Sequence, residues 1–229
     1  MHKYFHSNIS KKKFLNGIFI IGEIMSSRKF ADKVMPFLEK YNSYTEKDRI
    51  LAHYGLETIY ILITKFIIIT IISLCLGITK EMYMLLFFYG ILRFYAGGMH
   101  LSNSKKCLIF SIIIFISVTY LCIYTNMNIS YRIIISGFSI CSFALFSPAD
   151  THKKPIIREN VRIKRKVISI VICFIFVMGI IFIKNTIVLN ILTYSLLLTS
   201  LIIAPYSYRL FRQPYNNYMA YVNYKRKEK

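Results

Sequence analysis

The stretch Arg93–Cys107, RFYAGGMHLSNSKKC, places one histidine and one cysteine seven residues apart in a polar, glycine-rich interruption of apolar sequence. A free thiol, with a pKa of about 8.5, is only a small fraction thiolate at neutral pH, so thiol catalysis needs a base beside it. An imidazole can take the thiol proton and later return it to a leaving group. His100 and Cys107 are therefore a candidate catalytic dyad. The other four cysteines, Cys75, Cys122, Cys141 and Cys173, lie inside apolar runs, where a thiol behaves as a small hydrophobe. Five cysteines without paired spacing give neither a disulfide framework nor a CxxC metal or redox motif.

Spacing sets a geometric condition on that dyad. In one unbroken helix His100 and Cys107 share a face but stand roughly 10.5 Å apart along the axis, too far for direct proton transfer. A working pair requires Leu101–Lys106 to bend back, and Ser102-Asn103-Ser104 supplies turn-forming residues. The adjacent glycines Gly97 and Gly98 each cost a helix about 1 kcal/mol, which marks a break before His100. Lys105 and Lys106 favour a thiolate at Cys107. The plainer reading is a helix end, a short loop and an unreactive thiol in the first turn of the next helix, with His100 bonded to a loop carbonyl. Arg93 is costly against lipid, so it faces protein, water or headgroups. It either snorkels to the interface or clamps a substrate carbonyl or carboxylate beside the dyad.

The elements that must hold these residues are membrane helices. The 229-residue chain is 55% hydrophobic with a mean hydropathy of +0.49. The runs Ile59–Ile78, Leu108–Thr125, Ile133–Ala149, Val167–Ile183 and Ile187–Ala204 each approach the length of a hydrocarbon core. Met82–Met99 is a sixth, weaker segment because it carries Arg93 and the two glycines, and it either spans or re-enters. The fold class predicted is an all-α polytopic helical bundle of about six hydrophobic segments.

Net charge is +20, and its distribution gives orientation. Ten basic residues fall in 1–50, seven in Asp150–Lys166 and six in Tyr206–Lys229, whereas the loops Thr79–Glu81, Asn126–Arg132 and Lys184–Thr186 carry one each. The positive-inside rule then puts these three regions, both termini included, on the cytoplasmic side, and if Met82–Met99 crosses, the His100–Cys107 segment emerges there too. Topology and anionic lipid account for the charge, and a nucleic-acid partner is not expected. Met1–Lys13 is polar, which argues against a cleavable signal peptide.

Three regions follow. Residues 1–50 form a basic, interfacial region in which Phe14, Ile18, Ile21 and Met25 recur at helical spacing. Pro36 and Asn42–Ser43 are expected to interrupt it before a new helix starts near Thr45–Asp48, an N-cap followed by first-turn acids. Residues 51–205 form the transmembrane catalytic domain. Residues 206–229 form a basic cytoplasmic tail, surface-bound or frayed. The connection Ser147–Lys166 is the one long polar loop between crossings.

Other constellations are weaker. His53 and Glu57 share a helix face, but HExxH is absent, so a local ion pair is favoured over a proton-transfer or metal pair. Asp150 is the nearest candidate for a third triad member, yet a capping role fits it equally. GxSxG and paired membrane aspartates are absent as well, and neither metal nor cofactor is expected.

Taken together, these residues resemble the accessory gene regulator B family, membrane peptidases that process quorum-sensing peptide precursors in Gram-positive bacteria. YGLE at Tyr54–Glu57, the Arg…Gly-x-His segment with Cys seven residues later, and the basic loop with Lys153-Lys154-Pro155 carry the resemblance in order. It implies that His100 and Cys107 form the catalytic pair, supported by Arg93, Gly97, Gly98 and Glu57. It further implies a short precursor with an amphipathic leader and an acidic C-terminal tail, the latter docking on Lys153, Lys154 and the basic run to Lys166. The product is a thiolactone or lactone ring, and the family works as a homodimer in the bacterial cell membrane. The alternative is a non-catalytic small transporter or peptide exporter. Such a protein would more often show symmetric halves and polar groups deep in several crossings, and neither is visible here.

Overall fold

The computed structural model describes residues 27–101, 104–151 and 155–219. The amphipathic repeat Phe14–Met25 and the Lys153–Lys154 pair lie outside the described residues. Among the described residues all regular elements are α-helices, arranged in two compact units that meet in sequence at Cys75–Leu76.

The first unit holds α1 (Ser27–Glu39) and α2 (Glu46–Leu76). α1 buries Ala31 and Met35, one turn apart. It also runs through Pro36, contrary to the sequence expectation. A proline loses only its own N–H, and its carbonyl still accepts from Lys40 N–H at 3.3 Å. The chain breaks instead at Tyr41–Ser43. α2 starts where the cap signal put it, with Asp48 N–H donating to Thr45 Oγ1 at 3.3 Å. At 31 residues α2 is roughly 46 Å long, more than a hydrocarbon core needs, so its polar first turns precede the apolar span. Phe30 stacks on Tyr60 at 4.8 Å, and Arg49 pairs with Glu39 at 2.8 Å.

The second unit holds α3 (Thr79–Ala96), α4 (Ser104–Tyr124), α5 (Ile129–Phe146), α6 (Glu159–Phe182), α7 (Thr186–Ile203) and the short α8 (Pro205–Leu210). α7 is the central helix and packs against all the others in this unit. Its buried face mixes Leu192 and Leu196 with Thr193, Ser195, Thr199 and Ser200, small enough to let neighbouring backbones approach. The buried hydroxyls of Thr193, Thr199 and Ser200 donate to carbonyls one turn back, at 2.8 Å each. Leu92, Ala96, Phe143 and Phe176 complete the main apolar core around it.

Five helices, α2 and α4–α7, are long and apolar enough to cross a membrane. α3 is the sixth. It runs unbroken for 18 residues, with Lys80 and Glu81 in its first turn and Arg93 in its last. At one end of the second unit a polar clamp joins three helices. Asn190 donates to the carbonyls of Cys122 and Thr125, both at 2.8 Å, and accepts from Arg132 Nη2 at 2.8 Å. At the other end the α3–α4 turn, the α5–α6 connection and the exit of α7 converge. That end holds the site.

Candidate active site

α3 stops at Gly97, whose N–H still donates to Arg93 O at 2.9 Å. Gly97 and Gly98 then take φ of +73° and +126°, values that side chains with a Cβ rarely adopt. This lets the chain turn under the segment after α5. Gly98 N–H donates to Ala149 O at 2.9 Å, and Ala149 N–H donates to Ala96 O at 2.8 Å. Met99 N–H reaches Ile202 O at the end of α7, at 3.4 Å. A Cβ on Gly97 would collide with the Ala149 carbonyl, and one on Gly98 would lie 2.6 Å from Arg93 Nη1 and 2.8 Å from Ile202 Cγ2. The glycines thus admit the protein's own backbone. Their N–H groups are engaged internally and are not oxyanion donors.

Beyond this turn the chain reverses into α4, as the dyad geometry requires. Cys107 Sγ stands 3.8 Å from His100 Nδ1 and 4.0 Å from Nε2. Nδ1 is also 2.9 Å from Leu101 O. A carbonyl only accepts, so Nδ1 carries the proton and Nε2 is the basic nitrogen of the neutral ring. The Leu101 carbonyl thereby fills the orienting position that an aspartate occupies in a triad. His100 is exposed, whereas Cys107 is 8% exposed. Cys107 lies in the first turn of α4, where the helix dipole favours negative charge.

Arg93 is half-buried, its Nη2 donating to Met99 O, one residue before His100. Its guanidinium carbon is 5.9 Å from the Tyr89 ring centroid. It thus grips the turn that presents the histidine. Arg93, Gly97 and Gly98 also line a cleft of about 400 Å³, closed on its other side by Asp150, Arg158 and Arg165. The cleft is rich in cations and lies two residues upstream of His100.

The remaining candidates have partners of their own. Glu57 lies in the first unit, 3.5 Å from His53 Nδ1, while His53 Nε2 is 2.8 Å from Asp32. This is the local ion pair, with a third member that the sequence did not suggest. Asp150 is a cap: its buried carboxylate accepts from Asn217 N–H at 3.0 Å and Tyr218 N–H at 2.9 Å. Among the described residues no three His, Cys, Asp or Glu side chains gather to hold a metal ion.

The accessory gene regulator B family model matches residues 29–203, which include the whole α3–α4 turn and the basic loop. The chain belongs to this family. A putative AgrB-like protein of Clostridium acetobutylicum is 28% identical over 199 residues, covering 86% of this chain and 94% of its own length. Accessory gene regulator protein B of Staphylococcus aureus is 28% identical over 140 residues, 61% of this chain and 74% of its own. A putative AgrB-like protein of Lactiplantibacillus plantarum is 29% identical over 183 residues, 77% and 88% of the two chains. No solved structure matches. This family member is an all-α membrane protein, and its site residues lie inside the matched region.

Proposed function

We propose that this chain is a membrane-embedded cysteine endopeptidase that cleaves a short signalling-peptide precursor and promotes closure of its ring. The observation that carries the reading is the approach of His100 to Cys107, with the basic Nε2 at 4.0 Å from Sγ although the two residues are seven apart in sequence. Nothing in the apolar patterning of a transporter would require that reversal. Family membership points to the same class of substrate.

In this reading His100 Nε2 takes the Cys107 proton, and the thiolate attacks the carbonyl carbon of the scissile bond. The first turn of α4 supplies the positive field for the oxyanion. Collapse breaks the C–N bond, the imidazolium protonates the departing amine, and the N-terminal part stays on Cys107 as an acyl-thioester. A thiol or hydroxyl within that peptide then attacks the thioester carbonyl, releasing Cys107 and closing a thiolactone or lactone. The thioester keeps the acyl group activated, so cyclisation needs no further energy source if water is excluded.

The basic α5–α6 connection lies at the site end, so this reading puts that end on the cytoplasmic face, and the charge distribution of the sequence puts both termini there too. Arg93, Arg158 and Arg165 give the adjoining cleft a charge suited to the acidic tail of a precursor, and in sequence Lys153 and Lys154 add to the same basic loop. A homodimer in anionic lipid is the assembly this reading adopts.

The test is co-expression with the precursor encoded beside the gene, comparing wild type with Cys107→Ala and His100→Ala at equal protein levels. Peptide masses in membrane and medium are the readout. Cleavage lost in both variants is the expected result, whereas unchanged processing by Cys107→Ala overturns the thiol mechanism and favours a transporter.

A further inference from the structure

The segment after Ala204 looks in sequence like a basic tail, yet residues 205–218 are fastened to the site end of the second unit. Tyr208 is buried, and its hydroxyl donates to the Asp150 carbonyl at 2.8 Å. The Asp150 carboxylate, its side chain 1% exposed, holds the Asn217 and Tyr218 N–H groups and lies 3.4 Å from Asn217 Nδ2. Arg162 Nη1 stands 4.0 Å from that carboxylate, with its guanidinium 3.4 Å above the Tyr218 ring. Between these anchors Phe211 packs edge-on against Phe110 of α4, ring centroids 4.8 Å apart.

Both halves of the dyad end at these anchors. Asp150 directly follows Ala149, which fixes Ala96 and Gly98 ahead of His100. Phe110 lies three residues beyond Cys107 on the same helix. A single segment therefore braces the turn that carries the imidazole and the helix that carries the thiol. Charge-assisted bonds from a buried carboxylate to two main-chain N–H groups set the segment's position more tightly than apolar contact would. A shift of about 1 Å between reacting groups is enough to reduce rates 100-fold.

We propose that residues 205–218 are a latch that positions the His100–Cys107 pair, with Asp150 and Phe211 as its positioning residues. The proposal rests on the peptidase reading of that pair.

The test uses the full chain in membranes and reads Cys107 alkylation by iodoacetamide across pH, quantified by mass spectrometry of the Cys107 peptide. Cleavage of the co-expressed precursor is followed in parallel. Wild type is compared with His100→Ala, Asp150→Ala, Phe211→Ala and Phe211→Tyr. Leu210→Ala, at an exposed neighbour, is the control. The expected result is that Asp150→Ala and Phe211→Ala move the alkylation profile toward that of His100→Ala, with cleavage down about tenfold or more. Phe211→Tyr and Leu210→Ala keep the wild-type profile. Should Asp150→Ala fail to accumulate, the Phe211 pair decides alone. Asp150→Ala and Phe211→Ala profiles superimposable on wild type overturn the latch while leaving the dyad standing. A wild-type profile identical to that of His100→Ala overturns the dyad itself, and the latch with it.

Discussion

Ala149 and Gly98 are joined main chain to main chain, and Ala149 returns a second bond to Ala96, so the glycine turn before His100 is tied to the α5–α6 connection through backbone bonds. Side-chain identity at Ala149 matters little to this contact. The absence of a side chain at Gly97 matters greatly, because a Cβ there would run into the Ala149 carbonyl.

Gly97→Ala should therefore be severe. Backbone at φ +73° and ψ −141° costs an L-residue about 1–3 kcal/mol before the collision is counted, and the Ala149 carbonyl cannot move without releasing Gly98. We expect precursor cleavage to fall by roughly 100-fold. Gly90→Ala, in the same helix with open space around it, should process normally and be slightly more stable. Equal activity of the two variants would refute the backbone-clamp account.

His100 and Cys107 should behave as one unit. Each single alanine variant is expected to lose about 100-fold or more in cleavage. The double variant should be no worse than Cys107→Ala alone, because a base without its nucleophile contributes nothing. Independent, multiplying losses measured with one precursor would show that Cys107 Sγ and His100 Nε2, 4.0 Å apart, are not a proton-transfer pair.

Much of this site was legible in sequence because its signals are local. The glycine pair, the turn-forming Ser102-Asn103-Ser104 and the seven-residue spacing all lie within fifteen residues, and together they demanded the reversal that brings the ring to the sulfur. The cap at Thr45–Asp48 and the apolar crossings were local too. Pro36 misled because a proline near the end of a helix removes one bond and leaves the rest. The latch was illegible for the opposite reason. Asp150 meets its partners 58 and 67 residues later, and Tyr208 and Phe211 are two of several aromatics in a basic stretch without periodicity. A buried aspartate gives the sequence no sign of which distant N–H groups it caps.

The clamp at the far end of the unit should govern stability rather than chemistry. Asn190→Ala removes both donors to the Cys122 and Thr125 carbonyls and leaves Arg132 Nη2 without its acceptor. Stranding buried polar groups costs about 1–3 kcal/mol. Thermal unfolding in detergent should shift down accordingly, while cleavage per folded molecule stays at the wild-type level. A loss of cleavage without a loss of stability would place Asn190 in the reaction.

Alkali should open the latch from its tyrosines. Burial raises Tyr208 and Tyr215 above the ordinary value of 10.0. Arg93 partly offsets the shift at Tyr208, and Arg162 at Tyr215. Between pH 10.0 and the raised folded values, the unfolded segment ionises while the docked one stays neutral. The contribution of these tyrosines to docking is thus fully present below pH 10.0 and is lost as pH climbs through the folded values. The tyrosinate difference spectrum between wild type and Tyr208→Phe should show one group titrating later than the exposed tyrosines. Proteolysis between Ala204 and Met219 should set in over the same pH range. If Tyr208 instead titrates with the exposed rings, its hydroxyl is not held against Asp150, and the segment is the loose tail that its composition suggests.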